Sequence, residues 1–203
     1  MTEHYFTADP SSAYETTTVT VRIWGHELAL QSASGVFSHG RLDTGTAVLV
    51  REVGPPEVGA TYLDLGCGYG VLACALATVL PDARVWAVDV NERALAVARG
   101  NTERLGIADR VNVARPDQVP ASVRFDGIWS NPPIRIGKAA LRSLLVQWLP
   151  RLADDGEAMI VVAKNLGADS LQRWLVEQGF RCDRVASAKG FRVLQVRAQH
   201  GSD

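Results

Sequence analysis

Asn131-Pro132-Pro133-Ile134 closes an apolar run, Phe125-Asp126-Gly127-Ile128-Trp129-Ser130. Two consecutive prolines fix two φ angles and remove two N–H donors, and the second pushes the first towards extended geometry. What remains is a stiff stretch that offers carbonyl oxygens and the Asn131 amide. Such a stretch can hold a ligand NH₂ group in one orientation. The run before it reads as a buried strand, and in open α/β sheets ligands bind just beyond the carboxyl ends of strands. A rigid turn leaving a strand would use the same residues.

Upstream, Asp64-Leu65-Gly66-Cys67-Gly68-Tyr69-Gly70 links a short apolar run, Thr61–Leu65, to a helical one beginning at Val71. Glycines let the backbone approach a ligand, and a helix start adds exposed N–H groups. A second strand, Ala83–Val88, ends on Asp89, placed to accept hydrogen bonds from ribose hydroxyls. The dinucleotide fingerprint wants glycine where Val71 stands. A carboxylate at Asp64 repels a pyrophosphate but attracts an ammonium group. Asp64 and Asp89 together therefore suit S-adenosylmethionine, which carries a ribose, an ammonium and a sulfonium.

With Asp89-Val90-Asn91-Glu92-Arg93-Ala94-Leu95 and Asn131-Pro132-Pro133-Ile134 added, the chain resembles a class I S-adenosylmethionine-dependent methyltransferase. More narrowly it resembles the small-domain group that includes the ribosomal RNA small-subunit guanine-N2 methyltransferases, in a single-domain form. Further matches are His4-Tyr5-Phe6, Ser34-Gly35-Val36-Phe37-Ser38, Asp43-Thr44-Gly45 and Ile134-Arg135-Ile136-Gly137-Lys138. The resemblance implies a Rossmann-like α/β fold: a seven-stranded, mostly parallel sheet with an antiparallel last strand and helices on both faces. It implies methylation of a planar NH₂ nitrogen, with Asn131, Pro132, Pro133 and Ile134 as the catalytic segment. Ile134 stands where such enzymes usually place an aromatic that stacks on the base. Cofactor contacts are expected from Asp64, Gly66, Cys67, Gly68, Gly70, Asp89, Val90, Asn91, Asp117, Phe37 and Asn131. Asp117 reads equally as a solvated or capping aspartate, and Phe37 as core packing. Rival readings are a protein-glutamine or small-molecule N-methyltransferase, and a non-catalytic RNA-binding module.

The charge pattern bears on the partner. A net charge of −1 over 203 residues hides a split: residues 1–100 carry −5 and the remainder +4. The acidic half holds the proposed site of a cationic cofactor. The basic half holds Arg135, Lys138, Arg142, Lys164, Arg181, Arg184, Lys189 and Arg192, a face that could track RNA phosphates. The only three lysines, Lys138, Lys164 and Lys189, each fall at a strand end or just after the Asn-Pro-Pro loop; with Arg135 they are the expected RNA contacts. An ordinary solvated surface would look similar. The three cysteines, Cys67, Cys74 and Cys182, form no metal-type spacing, so no metal is expected. Met1-Thr2-Glu3-His4 opens without a basic or apolar leader and no apolar stretch is long enough to span a bilayer, so a cytoplasmic protein without membrane attachment is expected.

These residues need elements to position them. The chain is expected to form one methyltransferase domain: an extension over 1–55 with a β-hairpin and a helix, a Rossmann-like core over 56–198, and a tail over 199–203. Thr16–Trp24 and Glu27–Gln31 read as the hairpin, turning at Gly25-His26. Thr44–Val53 reads as a helix, for which Asp43 is the expected cap. Helices are expected over roughly 70–79, 91–105, 137–150 and 168–178, and strands over roughly 110–114, 125–130 and 157–164. A final hairpin is expected over roughly 181–188 and 191–198, turning at Lys189-Gly190. Strand alternating with helix argues for a parallel sheet. The five tryptophans read as packing. His39 reads as structural or surface more readily than as a proton acceptor.

Overall fold

The computed structural model describes residues 16–36, 40–57, 59–132 and 137–198. Phe37, His39, Pro133, Ile134 and Arg135 lie outside the described residues, as does the tail.

The first two strands, β1 (Thr16–Ile23) and β2 (His26–Ala33), pair as an antiparallel hairpin in a sheet of their own. Its turn is Trp24-Gly25, one residue earlier than expected, and both turn residues take left-handed φ, 47° and 86°. With φ > 0 at both positions this is the type I′ pattern, which matches strand twist and which glycine tolerates and tryptophan resists. Tertiary contacts hold Trp24 there. Its indole Nε1 donates to Val50 O and Val53 O at 3.0 Å each, and its ring meets Trp129 edge-on at 5.3 Å. These partners lie far off in sequence, which hides the turn from local pattern.

Helix α1 (Thr44–Glu52) follows, and then strand and helix alternate. The elements are β3 (Thr61–Leu65), α2 (Val71–Val79), β4 (Arg84–Val88), α3 (Glu92–Arg104), β5 (Val111–Ala114), β6 (Phe125–Ser130), α4 (Gly137–Trp148), β7 (Leu152–Ala163), α5 (Ala168–Glu177), β8 (Phe180–Ala188) and β9 (Phe191–Ala198). The main sheet has seven strands in the order β5-β4-β3-β6-β7-β9-β8. The first five of these run parallel; β9 is antiparallel to both β7 and β8. The Rossmann-like expectation, including the antiparallel final strand and the separate hairpin, is met. β7 starts earlier than expected. Its pairing on β6 jumps from Phe125↔Leu152 to Gly127↔Glu157, so Asp154-Asp155-Gly156 forms an irregularity within the strand rather than a break before it.

One face of the sheet packs the hairpin, α1, α2 and α3, through residues such as Leu30, Leu49, Leu76 and Leu95. The other packs α4 and α5, through Leu145, Trp148, Leu171 and Leu175. With both faces covered, β3 is buried from Tyr62 to Leu65 without alternation, as parallel strands are. The winding reverses between β3 and β6. The chain lays β4 and β5 to one side of β3, then crosses to lay β6 and β7 on the other. At such a switch point the loops leaving adjacent strands diverge and open a crevice at the carboxyl edge. β3 leads there into the glycine loop, and β6 into Asn131.

Candidate active site

The glycine loop is shaped by its backbone. Gly66, Gly68 and Gly70 all take left-handed φ, at 76°, 54° and 85°. Gly70 is also the N-cap of α2, and a Cβ there would come within 3.2 Å of Ala98 Cβ. Glycine thus lets α2 start against α3. Asp89, at the end of β4, ties the loop from below: its Oδ2 accepts Gly68 N–H and its Oδ1 accepts Asn91 N–H, each at 2.9 Å. Burial raises the Asp89 carboxyl above its ordinary range, against the pull of the N–H groups of Asn91, Gly68 and Val90.

Asp64 is 1 % exposed and accepts Ala73 N–H at 2.9 Å from the first turn of α2. Burial pushes its carboxyl up to about 7; the Ala73 N–H lowers it and the Asp89 charge raises it. A buried carboxyl with one N–H partner, in the lining of a cleft, gains most from a cationic group placed beside it. That cleft is also lined by Asp43, Thr46, Gly66, Cys67, Gly68 and Asn131. The donor set fits a cationic nucleoside cofactor such as S-adenosylmethionine: the Asp64 carboxyl and the glycine backbone line the cleft, and Asp89 lies under the loop at Gly68. Cys67 lines the cleft as a thiol, because burial first, then the Asp89 and Asp64 charges, raise it well above its usual range.

Asn91 is almost fully buried and its side chain is engaged structurally. Its Oδ1 caps α3 at Arg93 N and Ala94 N, and its Nδ2 donates to Gly35 O. Val90 is 42 % exposed beside Asp89, an apolar surface just after β4. Asp117 lies in a 3-10 turn after β5, with a carboxylate oxygen 3.4 Å from Arg115, which also donates to Glu92 at 2.8 Å.

Asn131 is the meeting point. Its Nδ2 donates to Asp43 Oδ2 at 2.6 Å and to Thr46 Oγ1 at 3.0 Å. Asp43 is the N-cap of α1, as expected, with its Oδ2 also accepting from Gly45 N and Thr46 N. The link to Asn131 is one that sequence reasoning misses. It spans 88 residues, and nothing local in either segment announces it. On its other side, Asn131 joins Pro132 in lining a second cavity of about 180 Å³. Leu141, Val161, Val162, Ala163, Lys138 and Asn165 complete most of its wall.

The three lysines converge on this side of the sheet. Lys138 is in the first turn of α4, and Lys164 follows β7 directly. Lys189 is in the β8–β9 turn, which returns to the same edge through Lys164 N–H to Gly190 O at 2.8 Å. None of the three forms an ion pair among the described residues. The wider basic face is less than the sequence suggests. Arg181 pairs with Asp183, Arg184 and Arg192 both lean on Asp169, and Arg142 lies over the Trp174 ring at 5.0 Å.

Comparison with known proteins follows the same lines. The sequence profile of the methyltransferase small domain matches residues 27–195. The chain belongs to the methyltransferase small-domain family. The class I resemblance is therefore right at the level of the family, and with it the expectation of S-adenosylmethionine as cofactor. The chain is 33% identical over 200 residues to YbxB of Bacillus subtilis, an uncharacterized protein, covering 97% of this chain and 99% of that one. It is 35% identical over 177 residues to ribosomal RNA small subunit methyltransferase C of Ectopseudomonas mendocina, covering 84% and 51% respectively. It is 48% identical over 147 residues to release factor glutamine methyltransferase of Gloeobacter violaceus, covering 70% and 51%. The chain thus spans about half the length of these two methyltransferases. Among solved structures, the T. thermophilus 16S rRNA N2 methyltransferase RsmC, in complex with AdoMet and guanosine, superposes with a TM-score of 0.78 at 26% identity, covering 95% of this chain and 53% of that one.

Proposed function

We propose that this protein transfers a methyl group from S-adenosylmethionine to an exocyclic amine of RNA, guanine N2 of small-subunit ribosomal RNA, in the cytoplasm. The observation that carries this reading is the position of Asn131 in the lining of both cavities. One cavity has the buried Asp64 and the half-buried Asp43 for a cationic cofactor. The other has aliphatic walls and a lysine. A group transferred from one ligand to the other would pass beside this amide.

When bound, the cofactor supplies an electrophilic methyl group on a sulfonium, a good leaving group. The protein's task is then alignment more than acid–base chemistry. An aromatic NH₂ is a weak nucleophile because its lone pair is delocalised into the ring. Asn131 Oδ1 and the Pro132 carbonyl are the acceptors for its two N–H groups. Holding both hydrogens turns the lone pair out of the ring plane. As positive charge grows on the nitrogen, both acceptors bind it more strongly than in the ground state, so the gain falls on the transition state. Asp64 and Asp89 hold the cofactor's cationic and ribose ends. The Leu141 and Val161–Ala163 walls offer apolar faces to a planar base where family members use an aromatic. A paired guanine would have to leave its stack to reach them.

A second reading, methylation of a protein glutamine amide, is supported by the likeness to the release factor enzyme. It places the same demand on Asn131. Lys138 in the cavity wall, with Lys164 and Lys189 on the same sheet edge, favours the polyanion. Label transfer separates the readings: methyl-tritiated S-adenosylmethionine is incubated with the protein and either ribosomal RNA, assembled small subunits or release factors, and the product is digested and identified. The expected product is N2-methylguanosine. Methylglutamine as the only labelled product would replace the RNA reading, and no transfer to any acceptor would leave the binding-module reading.

A further inference from the structure

The head of α1 does more than begin a helix. We propose that Asp43, Gly45 and Thr46 are positioning residues that hold the Asn131 amide in a single orientation for methyl transfer; the inference rests on the reading of Asn131 given above. A carboxylate only accepts hydrogen bonds, so the amide atom 2.6 Å from Asp43 Oδ2 has to be Nδ2. Thr46 Oγ1 takes the second N–H at 3.0 Å. Both amide hydrogens are thereby engaged on α1. A flipped amide would set oxygen against a carboxylate, and Oδ1 is the atom left for the ligand. The contact to Asp43 is short because it is charge-assisted. It also draws positive character onto the NH₂ end and leaves Oδ1 richer in negative charge, which makes it a better acceptor for a nitrogen becoming cationic.

Gly45 completes the device. A Cβ there would lie 2.9 Å from Asn131 Oδ1, 3.1 Å from Nδ2 and 2.9 Å from Asp43 Oδ2. The amide and the carboxylate are both packed against the bare Cα. Its φ is not left-handed, so the backbone does not demand glycine; the close approach does. Glycine is a poor helix former, and a first-turn glycine that no backbone angle requires points to the space it leaves. Capping alone would be served equally by serine or asparagine at position 43. It would not explain why the capping oxygen also meets an amide 88 residues away.

Three variants separate positioning from capping. Gly45→Ala places a methyl group where the amide lies while favouring the helix. The gain in helix propensity and the crowding of the amide oppose each other, so it is expected to change the melting temperature little, keep cofactor affinity, and lower kcat by about 100-fold, the cost of a misplaced reacting group. Asp43→Ser keeps a helix cap but does not reach Asn131; Asp43→Asn keeps both cap and acceptor without the charge. The expected order of kcat is wild type, then Asp43→Asn, then Asp43→Ser, with the last two equally stable. Independently of any acceptor, the Asn131 side-chain NH₂ signals in ¹⁵N spectra should be downfield and slow to exchange in the wild type and in Asp43→Asn. They should shift towards solvent-exposed values in Asp43→Ser. Unchanged NH₂ signals in Asp43→Ser, or turnover by both Gly45→Ala and Asp43→Ser within twofold of wild type while Asn131→Ala is inactive, would overturn the proposal. Full activity in Asn131→Ala would instead overturn the methyl-transfer reading beneath it.

Discussion

On either side of the β3/β6 switch point, the carboxyl edge of one sheet carries opposite chemistry. β3, β4 and β5 end in Asp64, Asp89 and the Asp117 turn; β6, β7 and the β8–β9 turn end in Asn131, Lys164 and Lys189. The first half suits a small cation-bearing cofactor and the second a polyanion. The charge split along the sequence follows this division only in part: doubly wound topology lays β4 and β5 to one side of β3 and the later strands to the other, but β5 and Asp117 come from the net-basic half of the chain. The halves also differ in how their charges are held. Asp64 is buried and Asp89 half-buried, and both are fixed by backbone N–H groups; Asp117 is exposed and leans on Arg115. The lysines are exposed and long. Small ligands need fixed geometry, whereas phosphate tracking needs only charge within reach.

The comparison can be broken most severely at its boundary. Asn131→Asp would set a second carboxylate against Asp43 Oδ2, now 2.6 Å from the amide nitrogen. Two carboxylates so close cannot both ionise, so they share a proton and one pKa rises. Turnover should fall by at least two orders of magnitude at neutral pH, and the deficit relative to wild type should shrink as pH falls, in a kcat–pH profile. A deficit independent of pH would mean that the Asp43 contact is not what the variant disturbs.

Within the acidic half, Asp89→Ala removes the acceptor of the Gly68 and Asn91 N–H groups and the expected ribose partner. Cofactor binding should weaken by about 1.5–3 kcal/mol, the scale for a hydrogen bond to a charged group, while RNA affinity stays the same. Titration calorimetry with each ligand separately would show whether the effect is confined to this half.

Asp64 sharpens the contrast through pH. Its folded carboxyl is raised to about 7, above its unfolded value, so the folded state holds a proton that the unfolded state has released. The unliganded protein should therefore lose stability as pH rises from about 4 through 7, with the contribution complete below that window and absent above it. Cofactor affinity should move the other way and strengthen as pH rises through 7, because only the carboxylate attracts an ammonium. Asp64→Asn should flatten both trends; melting curves and titrations across the same pH range would show it.

The smallest and most diffuse effect belongs to the basic half. Replacing Lys138, Lys164 and Lys189 by alanine should raise the RNA KM and lessen the slope of log affinity against log salt by up to about 0.7 per lysine that meets a phosphate. Cofactor affinity should not change. An unaltered salt slope would return these lysines to ordinary surface.

Much of this division is legible in the sequence. Strand–helix alternation, the glycine loop and the strand ends at Asp89 and Asn131 are local patterns, and local patterns fix where the chain turns. Asp43 is legible as a helix cap for the same reason. Its bond to Asn131 is not, because it joins a helix head to a strand end through winding that no window of residues contains. Local pattern misplaces the Trp24 turn by one residue because two α1-side carbonyls and Trp129 hold a conformation that tryptophan disfavours. It overstates the breadth of the basic face because Asp169 and Asp183 take up arginines that a charge count leaves free.

The claim at the centre is that Asn131 lies between two sites and belongs wholly to neither. Its most direct test is Asn131→Ala, with cofactor and RNA affinities measured separately and single-turnover methyl transfer measured with both bound. The account predicts near wild-type affinities for each ligand and a transfer rate reduced at least 100-fold, the scale of about 3 kcal/mol for a preorganised polar group. Transfer at the wild-type rate would contradict it, and so would a lost activity wholly explained by weaker binding of either ligand.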